Sequence, residues 1–112
     1  MPDPKPGEGQ AAGDPENKSR GEPARWTQEE AIAFACARDY VAELQAVYAT
    51  ALDQLQSLPD VPVQDVAWLA GELIALRERR LKLAVDSHLE IAEIRRTFDA
   101  LIREARLRWL EP

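Results

Sequence analysis

The stretch RERRLKLAVDSHLE, residues 77–90, separates two apolar registers, and its reading decides how many helices the chain forms. It carries the densest run of positive charge, the one histidine (His88) and the pattern Ser87-His88-Leu89-Glu90. Serine followed three residues later by glutamate is a capping box, in which each side chain satisfies an amide that a helix start leaves unpaired. Two readings follow. Either residues 88–110 fold back as a third helix from a break near Asp86-His88, or the helix runs straight through and Arg77 and Arg80 only interrupt its apolar face. Leu81 to Val85 contains no glycine or proline to make a turn, which favours the continuous helix.

Upstream, Thr27-Gln28-Glu29-Glu30 is a second capping-box pattern. No proline or glycine follows until Pro59, so the spacing predicts one long helix. Phe34, Ala37, Val41, Leu44, Tyr48, Ala51, Leu55 and Leu58 recur at alternating steps of three and four, a sustained heptad seam. Pro59-Asp60-Val61-Pro62 ends that helix and starts the next, with Asp60 expected as the cap. So short a link makes the two helices antiparallel neighbours. In such a hairpin facing positions sum to about 120, placing Arg77 near Glu43 and Arg80 near Asp39 or Tyr40.

Downstream, Ile91, Ile94, Phe98, Leu101, Ile102, Ala105 and Trp109 fall within about 100° of one another on a helix. In a straight hairpin this arc projects beyond the end of the first helix. Burying its large side chains is worth about 8–18 kcal/mol gross, which rivals the whole stability of a domain. Something must cover it. With a continuous helix, that is a second chain, and Ile91, Ile94, Phe98, Leu101, Ile102 and Trp109 become the expected partner interface of a homo-oligomer, a dimer first of all.

Residues 1–25 hold five of the eight prolines and four of the five glycines, with no large apolar residue after Met1, and are expected to form a disordered tail. The folding unit is then 26–112, an all-α helical hairpin or coiled-coil domain. Its charge is uneven. Residues 26–76 carry eight acids against one base, and residues 77–112 carry nine bases against seven acids. Segments so biased suit lying against each other, within one chain or between two.

Arg95, Arg96, Arg103 and Arg106 form a stripe beside the arc, positions from which arginines can contact phosphates or an acidic partner. The chain is acidic overall, at net −6, and no aromatic platform accompanies the stripe. His88 has no second ligand one turn away, and Cys36, on a mostly apolar stretch, reads as an inert thiol. No catalytic residue, cofactor or metal is therefore expected. With no apolar run near 18 residues and no leader pattern, the expectation is a cytoplasmic protein without a membrane span. The functional expectation is a non-enzymatic protein–protein interaction or assembly module, a small adaptor, chaperone or accessory subunit. The alternative is a nucleic-acid-associated factor using the arginine stripe.

Overall fold

A computed structural model describes residues 26–111, so the tail expected over 1–25 lies outside the described residues. The described chain is all-α: α1 (Gln28–Gln56), α2 (Val63–Lys82) and α3 (His88–Trp109). The hairpin of α1 and α2 across Pro59–Pro62 is as expected. Of the two readings of residues 77–90, the continuous helix is overturned, and the three-helix alternative is the one observed.

α1 starts where its capping box predicts. The Thr27 hydroxyl accepts the Glu30 amide at 3.0 Å, and the Glu30 carboxylate accepts the Thr27 amide at 2.8 Å. At the far end Ser57 and Leu58 donate back to Gln54 and Leu55, and Pro59 then prevents Leu58 from continuing the helix. α2 is capped differently from the expectation. Pro62, in extended geometry, is its N-cap residue and no side chain caps it, so Asp60 does not serve. A proline fits here because its missing N–H is one the helix would leave unpaired anyway.

The corner between α2 and α3 needs no glycine. Leu83 takes φ −70° and ψ 131°, ordinary extended values open to any residue. The Ser87 amide then donates to the Ala84 carbonyl at 3.0 Å, closing a four-residue turn. Leu83 itself is buried and anchors the corner in the core. Ser87 stands at the N-cap of α3, but its hydroxyl turns back to accept the Ala84 amide at 3.1 Å, and Glu90 pairs with Arg79 on α2. The second capping box therefore does not form. The basic run has a local purpose as well: Arg79, Arg80 and Lys82 occupy the last turn of α2, where positive charge complements the helix dipole.

α1 is the central helix. It packs against both neighbours, whereas no Cα of α2 comes within 8 Å of a Cα of α3. α2 runs antiparallel to α1, and α3 runs parallel to it, as the pairs His88–Glu30 and Arg106–Glu43 establish. The core is built from Ala37, Val41, Leu44, Val47, Tyr48 and Ala51 of α1, Leu69 and Leu76 of α2, and Ile91, Ile94, Phe98, Ile102 and Ala105 of α3. Phe98, Leu69, Ile94 and Val41 are its largest fully buried side chains.

Candidate functional site

The expected partner interface is mostly interior. Ile91, Ile94, Phe98 and Ile102 are buried against the chain's own α1, so the arc does not project and needs no second chain to cover it. The reason is the corner at Leu83–Ser87, which returns α3 along α1 instead of extending α2. Leu101 and Trp109, at the margin of the arc, keep contact with solvent.

The arginine stripe lies on the outer side of α3 and is largely matched by acids. Arg96 pairs with Glu93, Arg103 with Asp99 at 2.6 Å, and Arg106 reaches Glu43 on α1 at 2.5 Å. Arg95 has no ion-pair partner among the described residues. The expected meeting of acidic first helix and basic last segment thus occurs within the chain. It pairs Glu43 with Arg106 rather than with Arg77, because α3 occupies that flank of α1.

His88 stands at the first turn of α3, and its Nε2 lies 2.7 Å from the Glu30 carboxylate at the start of α1. The Thr27 amide, aided by His88, holds the Glu30 carboxyl below its ordinary value of 4.5. This clasp ties the corner to the capping box of α1. Cys36 is half-buried, in a shallow hollow on α1 with Ile32, Ala35 and Tyr40. Among the described residues no helix is long and apolar enough to cross a membrane.

Among the described residues, two surfaces stand out that the packing of three helices does not use. The first is an outer apolar stripe on α2. Val66, Leu69, Leu73 and Leu76 face α1 or its margin, while Val63, Ala67, Ile74 and Leu81 fall within about 40° of one another on another side of the helix. Val63 is 73% exposed, Ile74 62% and Leu81 71%. Scattered single apolar residues are ordinary on a surface, but a stripe along a whole helix is not.

The second is a cleft of about 350 Å³ between α2 and α3, floored by α1. It exists because the two flanking helices meet only through long side chains. At one end Trp68 stacks on Trp109 with ring centres 5.9 Å apart, Tyr48 meets Trp68 edge-on at 5.6 Å, and Arg108 lies 4.9 Å from the Trp109 ring centre. At the other, Arg79 pairs with Glu90 and lies over the Phe98 ring at 5.1 Å. Between these closures the lining includes Leu44, Glu72, Leu76, Leu101 and Glu104. Burial and the nearby Glu72 charge push the Tyr48 phenol above its ordinary value, so it stays protonated through the neutral range.

Of the residues named from sequence, Phe98, Leu101, Ala105 and Trp109 of the arc and Leu44 and Tyr48 of the α1 seam line this cleft. Trp68, Glu72, Arg79, Glu104 and Arg108 were not anticipated there. Trp68 points away from the seam of α2, and an aromatic off the apolar face of an amphipathic helix was the available signal. No known protein family, curated protein or solved structure matches the chain.

Proposed function

We propose that the protein is a non-enzymatic helical interaction module that self-associates through the outer stripe of α2. The observation that carries this reading is the alignment of the exposed Val63, Ala67, Ile74 and Leu81 on one side of a helix whose other apolar side is already packed on α1. In place of the α3 arc, which folding consumes, this is the apolar face left for a second copy.

Covering three large side chains that are already part-buried gains roughly 3–6 kcal/mol gross, before the cost of association. The dimer is accordingly weak and depends on protein concentration. Sedimentation equilibrium across a wide concentration range is the test. The wild type should shift from monomer toward dimer, and Ile74→Asp should stay monomeric with unchanged helicity and melting. A wild type that remains monomeric at high concentration, or an Ile74→Asp variant that still associates, would remove this reading.

A further inference from the structure

The cleft between α2 and α3 is separate from the α2 stripe and has a chemistry of its own. Its floor is apolar, from Leu44, Leu76 and Phe98, and its rim carries four charges. Of the two positive ones, Arg79 pairs with Glu90, and Arg108 lies over Trp109 and, at 5.9 Å, over Trp68 without an ion-pair partner among the described residues. The two negative ones outnumber that one unpaired arginine. Glu72 from α2 and Glu104 from α3 have no ion-pair partner among the described residues.

A third group points the same way. Tyr48 is only 7% exposed, and its hydroxyl makes no hydrogen bond among the described residues. Tyr48 lines the cleft together with Glu72 and Arg108. A phenol hydroxyl that no protein group engages is open to a hydrogen bond from whatever enters the cleft.

We propose that the cleft is the binding site for a lysine or arginine side chain presented by a protein partner. The apolar stem lies on Trp68 and Leu101, and the cationic head sits between Glu72 and Glu104 within reach of the Tyr48 hydroxyl. Charge decides the sign of the ligand, since an anion would face two carboxylates against the one unpaired Arg108, which is already laid over the indoles. Size decides its form. A cleft of about 350 Å³, bridged at both ends by side chains, admits one long side chain but not another helix. Arg108 on the indole pair already demonstrates the cation–aromatic contact in this same cleft.

The test is an NMR titration of the isotopically labelled full chain with Nα-acetyl-lysine methylamide and Nα-acetyl-arginine methylamide. Nα-acetyl-norleucine and Nα-acetyl-glutamate methylamides serve as the neutral and anionic probes. The cationic probes should give saturable shifts of the Trp68 and Trp109 indole signals and of groups around Tyr48. A Glu72→Gln/Glu104→Gln double variant should weaken them at least tenfold and leave the response to norleucine unchanged.

Equal binding of norleucine, stronger binding of glutamate, or no indole shift with either cation up to tens of millimolar would overturn the proposal. If instead the cations bind and the double variant binds them equally well, the two carboxylates are not the recognition groups and the proposal fails. Repeating the titration in Ile74→Asp keeps it independent of self-association: loss of the dimer leaves the cleft response intact, and loss of the cleft response says nothing against the dimer.

Discussion

The α3 arc and the outer stripe of α2 are both apolar faces drawn at helical spacing, yet one is the heart of the core and the other lies in water. Ile94 and Phe98 are essentially inaccessible, whereas Ile74 is 62% exposed. The difference comes from the five-residue corner between the two helices. It turns α3 back onto α1 and leaves the far side of α2 with nothing to pack against. Periodicity identifies an apolar face; the connections decide which element covers it.

The largest effect that separates the two faces is on stability. Phe98→Ala should cost about 3–5 kcal/mol in denaturant unfolding, independent of protein concentration, because the cavity forms inside one chain. Ile74→Ala should stay within about 0.5 kcal/mol, as for an ordinary surface position. A Phe98→Ala penalty that disappears on dilution would mean that the arc is covered by a partner after all.

The two S/T-x-x-E patterns sharpen the comparison at the helix starts. Thr27→Ala removes a formed cap and should cost about 0.5–2 kcal/mol. Glu30 adds a pH signature. Its carboxyl is held below the ordinary value of 4.5, so its contribution is present above that pH and is lost as the pH falls through the lowered value. Melting curves of wild type and Glu30→Gln should therefore converge as the pH falls below 4.5. Curves that stay parallel through that range would detach Glu30 from the capping box and from His88.

Gly71 gives the smallest shift. It is exposed within α2, and a Cβ there would meet no atom within 4 Å. Gly71→Ala should raise stability by about 0.5–1 kcal/mol. A loss of stability would indicate that this side of α2 is covered more closely than the three helices alone require.

Much of the fold is legible in the residues. The Thr27–Glu30 box, the α1 seam from Ala37 to Ala51 and the proline-bounded turn at 59–62 all follow from local rules. The corner at 83–87 does not, because it uses only ordinary backbone regions, and its signal is the burial of one leucine. Ser87 and Glu90 have the right spacing for a capping box, but Ala84 and Arg79 compete for them and win. Of the cleft, Phe98, Leu101, Ala105 and Trp109 were foreseeable from the arc. Tyr48, Trp68 and Glu104 come together through a splay of α2 from α3 that no single helix encodes.

The central claim, that α3 returns along its own α1, is tested most directly by a distance between spin labels at Ala46 and Leu107 in a Cys36→Ser background. Both positions are exposed, and the samples would be diluted with unlabelled protein. Because Arg106 meets Glu43, the labels should lie roughly 10–25 Å apart whatever the dilution, after allowing for label length. A continuous helix from residue 62 to 110 would separate them by about 50 Å, and that result, or a short distance that vanishes on dilution, would contradict the account.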